Sequence, residues 1–263
     1  MLKTVIEKSS VCADLRLLPL VHTTTFEKAK KIIMSGYLDA TPCYAFKDEK
    51  LNYFFYSKAE YRHKFGNDSD SNINDLYVTF IFSDNVVSPY RIFPFDTGAW
   101  AAGLYNNIFK RDFEIEKDKF QITNNYESLV KYIKIVWGNN ENYLNENSLS
   151  EFDESNYACF KDVIGILASK TENVDNRKRT PEISSNSGIL INNETVRLIV
   201  LHKSALMTDG QSIKKECEKR GIRYIHYSHN KTNEYGAPNI FLGCIQERLY
   251  DFLIAEGIIN EEN

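Results

Sequence analysis

The chain has 263 residues, a net charge of −4 and 43% hydrophobic residues, enough to bury a substantial core in one large domain or two small ones. The slightly acidic balance argues against bulk electrostatic attraction to nucleic acid, though it leaves room for a local basic groove. No apolar run forms a signal peptide or reaches the ~18–20 residues of a membrane span, so neither secretion nor membrane insertion is expected.

The predicted elements begin with residues 20–25, LVHTTT, a β-branched strand with polar side chains at its end. Phe26, Ala29, Ile32 and Ile33 then recur at helical spacing opposite Lys28, Lys30 and Lys31, and Ser35-Gly36 stops the helix. An aromatic strand follows, in which Leu51, Tyr53 and Phe55 alternate with Asn52, Phe54 and Tyr56 before Ser57-Lys58. Residues 63–75 are polar and aperiodic, the pattern of a loop or lid. Residues 76–82, LYVTFIF, form a buried strand, and 90–95, YRIFPF, form another that runs into Asp96-Thr97-Gly98-Ala99. Such a polar turn either lines a site or simply reverses the chain.

A short helix or buried turn is expected over 99–104. A longer amphipathic helix follows over 126–137, with Leu129, Tyr132, Ile133, Val136 and Trp137 on one face and Gly138 after it. Residues 139–156 read as polar surface, 157–168 as a helix, and 169–181, SKTENVDNRKRTP, as a long polar loop. Glu182-Ile183-Ser184 starts a strand, 189–191 and 196–201 give two more, and 212–220 is a Lys/Glu-laced helix. A strand over 223–227 and a closing helix over 240–254 complete the chain. Strands and helices mix without regular βαβ alternation, so the prediction is an α+β fold in a single domain spanning 1–263. The basic runs at Arg177–Arg179 and at Lys214, Lys215, Lys219, Arg220 and Arg223 read as solvated faces.

Five cysteines, at 12, 43, 159, 217 and 244, show no CxxC or Cys/His pattern and read as reduced thiols of a cytoplasmic protein. His226 and His229 have a spacing two metal ligands could use, but no Cys, Asp or Glu set completes a site, so no metal is expected. No GxGxxG, Walker loop, GxSxG or HExxH is present in the sequence, which weakens dinucleotide-fold, phosphotransfer, serine-hydrolase and zincin readings.

Four pieces remain, in order: His-x-Thr ending an early strand, the aromatic strand running into YSKAEYR, PFDTG at 94–98, and an acid after a basic stretch in NRKRTPEIS. In that order they resemble the ADP-ribosyltransferase superfamily, and within it the DarT-type enzymes that modify nucleic-acid bases. They also resemble a group of bacterial proteins whose aromatic strand ends in Tyr-Arg and is followed by PFDTG. The resemblance covers residues 20–62 and 175–201 and implies an ADP-ribosyltransferase-like α+β fold of split mixed and antiparallel sheets with flanking helices. It implies NAD as co-substrate, His22 with Thr23 and Thr24 at the adenosine-side ribose, Tyr53 or Tyr56 stacked on nicotinamide, and Glu182 at the catalytic position. Where DarT-type enzymes carry an arginine after the aromatic strand this chain has Lys58, with Arg62 four residues on, and lysine does not reproduce a bidentate guanidinium contact.

The chemistry asks for these residue types. Breaking the nicotinamide–ribose bond makes an oxocarbenium-like centre, which a carboxylate stabilises, and the same acid can take the proton of the attacking group. The acceptor implied first is nucleic acid, DNA or RNA, and second a protein; the biological role implied is that of a toxin or anti-phage effector with a neutralising antitoxin. The lysine substitution keeps open a non-enzymatic nucleotide- or nucleic-acid-binding module of the same fold. An RNA 2′-phosphotransferase is disfavoured, because its Arg and His residues are too scattered here.

Overall fold

The structure, a computed structural model, describes residues 1–61, 76–147, 158–169, 176–208, 210–228 and 238–260. In chain order its first elements are α1 (Leu2–Lys8), β1 (Leu20–Thr25), α2 (Phe26–Ser35), β2 (Tyr37–Leu38), β3 (Thr41–Pro42), β4 (Lys50–Tyr56) and β5 (Tyr77–Phe82). Next come β6 (Arg91–Phe93), α3 (Thr97–Ala101), α4 (Phe113–Phe120), α5 (Tyr126–Trp137), α6 (Asn140–Leu144), α7 (Ala158–Ala168) and a 3-10 turn at Asn176–Arg179. The last are β7 (Glu182–Ser185), β8 (Ile189–Leu190), β9 (Val196–His202), α8 (Lys203–Thr208), α9 (Gly210–Lys219), β10 (Tyr224–Tyr227) and α10 (Pro238–Ala255). The fold is α+β, with mixed and antiparallel sheets flanked by helices. Among the described residues no helix is long and apolar enough to cross a membrane.

The chain alternates between two compact units. The first comprises Met1–Leu18, Thr41–Tyr56 and Ser88–Asn186, the second Pro19–Ala40, Ser57–Val87 and Ser187–Asn263. In the first unit β7 lies between β4 and β6, antiparallel to both, and β3 pairs antiparallel with β4. The helix α5 forms as its apolar period predicts, burying Leu129, Tyr132, Ile133 and Val136, with the Asn125 side chain accepting from the Ser128 N–H at its start. Around α3 and α4 the rings of Phe95, Trp100, Phe109, Phe113 and Phe120 pack edge to face or tilted, with centroids as close as 5.0 Å.

In the second unit the strand order is β10-β9-β5-β1, parallel between β10 and β9 and antiparallel elsewhere. Every residue of β5 is buried, as expected of an apolar run, broken only by Thr79, in a strand covered on both faces. The helix α2 packs on β1 and β5, α9 packs on α2, and α10 lies against β5, β9 and β10. Gly36 ends α2 at φ 73°, and a Cβ there would fall 2.0 Å from Arg220 Nη1, so the turn admits only glycine without displacing that arginine.

The structure adds short helices and one turn to the predicted elements. The helix α1 is not among the predicted elements although Leu2, Val5 and Ile6 stand at helical spacing and are buried, whereas α4 carries apolar residues mainly at its ends, Phe113 and Phe120, with Glu and Lys between, and α6 is a five-residue helix in an Asn/Glu-rich stretch. Residues 176–179, read as part of a loop, make a 3-10 turn. The lid expected over 63–75 lies outside the described residues.

Candidate functional site

The site is built on one face of the β4-β7-β6 sheet. Glu182 opens β7 and sits across from Phe55 on one side and Phe93 on the other, while Ser184 sits across from Tyr53 and Arg91. Side chains alternate along a strand, so Tyr53, Phe55, Glu182, Ser184, Arg91 and Phe93 share one face, and Phe54, Ile183 and Ile92 take the other. Glu182 is 3% exposed.

The polar partners of Glu182 come from the PFDTG turn. Asp96 caps α3, its Oδ1 accepting from the Ala99 N–H at 2.6 Å. The next residue, Thr97, donates its hydroxyl to Glu182 Oε1 at 2.5 Å and its backbone N–H to Oε2 at 3.3 Å. The other oxygen of Asp96 takes the Arg177 guanidinium at 2.9 Å, and the Arg177 carbonyl accepts from the Asp96 N–H at 3.2 Å. The flanking aromatic residues hold this turn in place, since Phe95 and Trp100 both enter the ring cluster of the first unit. Trp100 is further tied through its indole N–H to the Arg111 carbonyl at 2.8 Å.

Burial holds the Glu182 carboxyl well above the usual carboxylate range, and the negative charge of Asp96 pushes in the same direction. The two hydrogen bonds from Thr97 and the charge of Arg177 oppose that shift. Tyr53, half-buried on the same face, has its hydroxyl 2.5 Å from Cys43 Sγ. Burial, then the charge of Glu182, raises its ionisation far above neutrality; it serves as a neutral ring and hydroxyl.

Tyr56, the other aromatic candidate, occupies the opposite face. It is fully buried, its hydroxyl accepts from the Leu18 N–H at 3.0 Å, and its ring packs 5.6 Å from that of Tyr143. The structure thus brings Tyr53 to the face of Glu182 and leaves Tyr56 in the core. His22, Thr23, Thr24 and Lys58 belong to the second unit. His22 is half-buried on β1 with its ring 6.4 Å from Phe80, and Thr24 lies on the same face of the strand. Thr23 points the other way, its hydroxyl 2.8 Å from that of Thr79. Lys58 is 4% exposed, following Ser57 at φ 47°. Arg62 lies outside the described residues.

Sequence reasoning passed over Asp96, Thr97 and Arg177 as site residues. The signal was the Asp-Thr-Gly turn between aromatic anchors, noted but not assigned. The reading of Arg177–Arg179 as a solvated face is corrected by the structure. Besides the Arg177–Asp96 pair, Lys178 is buried with its ammonium on the Ser169 carbonyl and hydroxyl, and Arg179 bonds Glu146 and the Leu167 carbonyl. Each of these long side chains reaches a partner that a local charge pattern does not reveal.

No protein-family model matches the chain, and no curated protein matches it significantly. Among solved structures the chain is similar to Thermus sp. 2.9 DarT in complex with NAD+, with a TM-score of 0.38 and 11% identity over 80% of this chain and 96% of that one.

Proposed function

We propose that this chain is an NAD-dependent ADP-ribosyltransferase that modifies a macromolecule, with nucleic acid, DNA or RNA, as the acceptor. The observation that supports this most is the setting of Glu182. An acid flagged by the motif order lies on a sheet face beside Tyr53, oriented at both oxygens by Thr97 and holding its proton unusually tightly. A carboxyl held in this way is, in its ionised form, placed to take a proton from an attacking group.

The residues present fit a nucleotide co-substrate. Tyr53, half-buried on the Glu182 face, offers an aromatic ring against which a planar heterocycle can stack. When bound, NAD supplies an ADP-ribosyl group on a bond to nicotinamide that breaks with its electron pair leaving on nicotinamide. The ionised Glu182 offsets the positive charge that develops on the ribose, and the acceptor's proton passes to that carboxylate or to water as the new bond forms. Tyr53 offers its ring to the nicotinamide. The resemblance assigns His22, Thr23 and Thr24 to the adenosine-side ribose and the cation to Lys58 or Arg62, and it carries the toxin or anti-phage role with a neutralising antitoxin.

The test incubates the purified chain with labelled NAD and, separately, DNA, RNA and total cell protein. Label is expected on nucleic acid and reduced about 100-fold or more in Glu182→Gln, the scale of losing a charge-stabilising group, with His22→Ala also impaired. No label on any polymer together with no nicotinamide release overturns the reading in favour of a non-catalytic binding module.

A further inference from the structure

The turn that carries Lys58 is held more firmly than its length requires. Ser57 opens it at φ 47°, in the left-handed region that a residue with a Cβ enters only at a cost. Such a conformation persists where its surroundings over-determine it. Here the Ser57 N–H and hydroxyl both donate to the Pro19 carbonyl, at 3.2 and 2.7 Å, and the Glu60 N–H donates to the Lys58 carbonyl at 2.9 Å. Tyr61 closes the turn, its ring edge-on to that of Tyr77 with 5.4 Å between centres.

A further tether comes from the other end of the sequence. Gln246, on α10, accepts from the Ala59 N–H at 3.0 Å and donates to the Ser57 carbonyl at 3.3 Å, across 187 and 189 residues of chain. The two bonds bracket Lys58. They also fix the carboxamide, because a flipped amide would face donor with donor and acceptor with acceptor. The helix can deliver this side chain because its own face is anchored. Ile245, Leu249, Phe252 and Leu253 are buried where α10 lies against β5, β9 and β10, and Gln246 stands half-buried beside that apolar stripe.

Lys58 is 4% exposed. A long side chain so enclosed has few rotamers open to it, and the place of its ammonium follows the place of its backbone. A charge away from bulk water acts at longer range than a solvated one, and needs no exposed surface to do so. We infer that Gln246 is a positioning residue of the proposed transferase: by clamping the peptide groups on either side of Lys58, it holds that cation where its charge favours the diphosphate of NAD. This rests on the transferase reading above and gives the cation of that reading its support.

The experiment measures nicotinamide release against NAD concentration, with DNA, RNA and total cell protein present in turn, and amide hydrogen exchange at Ala59 without NAD. It compares wild type with Gln246→Ala, with Lys58→Met, which keeps most of the aliphatic stem, and with the double variant. Glu247→Ala, at an exposed neighbour on the same helix, is the control and should match wild type. Alanine is a strong helix former, so α10 persists in Gln246→Ala. That variant should exchange the Ala59 amide roughly 2- to 10-fold faster. It should raise KM for NAD about 10-fold with kcat within about twofold, because a contact remote from the breaking bond is made equally before and in the transition state. Partial unfolding would do the reverse, lowering apparent kcat at constant KM. Gln246→Ala should add nothing in the Lys58→Met background, since the glutamine acts through the lysine. An unchanged KM, losses that add in the double variant, or Ala59 exchange at the wild-type rate in Gln246→Ala overturns the inference. Absence of nicotinamide release from wild type overturns the transferase reading itself, and with it the role given to Lys58, while Ala59 exchange still reads the clamp.

Discussion

Glu182 holds its proton more tightly in the folded chain than in the unfolded one, because burial removes the water that would stabilise its charge and Asp96 adds a like charge beside it. The linkage has a definite sign. A carboxyl whose folded pKa is raised contributes stability that is fully present below its unfolded value, 4.5, and is lost as pH rises through the folded one. Glu182→Gln removes that dependence. Thermal melts from below pH 4.5 to neutrality should therefore show the variant gaining on wild type as pH rises, on top of a constant offset from the amide facing the Thr97 N–H. Asp96→Asn takes away the second cause of the shift, so the pH-dependent loss should end at a lower pH. Arg177→Gln removes an opposing charge and should move that end point upward. Breaking the buried Asp96–Arg177 pair should itself cost about 3 kcal/mol, read by denaturant unfolding at fixed pH.

At the scale of elements, the geometry of Glu182 depends on a five-residue helix that could not stand alone. The helix α3 is held by Phe95 before it and Trp100 within it, both locked into the ring cluster of the first unit. Trp100→Ala should cost about 4 kcal/mol in denaturant unfolding, the range for deleting a buried aromatic side chain. It should also loosen Thr97 from Glu182, visible as altered titration of that carboxyl by NMR. The strands of this site were legible in the sequence, since alternation and aromatic runs are local signals. Alternation likewise puts Tyr53 and Tyr56 on opposite faces, but only the pairing of β4 with β7 says which of them meets the acid. The partners of Glu182 were not legible. Thr97 lies 85 residues from it and Arg177 lies 81 residues from Asp96, and a basic run such as NRKR reads the same whether it is solvated or paired at long range.

At the scale of the molecule, each unit is assembled from three separate stretches of chain, and in the first unit β7 separates β4 from β6. A chain truncated after Pro181 keeps the outer strands without the one that joins them. It should show no cooperative thermal transition for the first unit by near-ultraviolet circular dichroism, where its tryptophans Trp100 and Trp137 report. Long-range pairing of this kind slows folding, because the loops must close before their contacts form. The same order matters on the ribosome. The nascent chain presents β4 and β6 first, and the strand that completes their sheet carries the acid at its first residue. A product terminated early therefore has neither the scaffold nor the acid proposed to do the chemistry, since both arrive in the same stretch of synthesis.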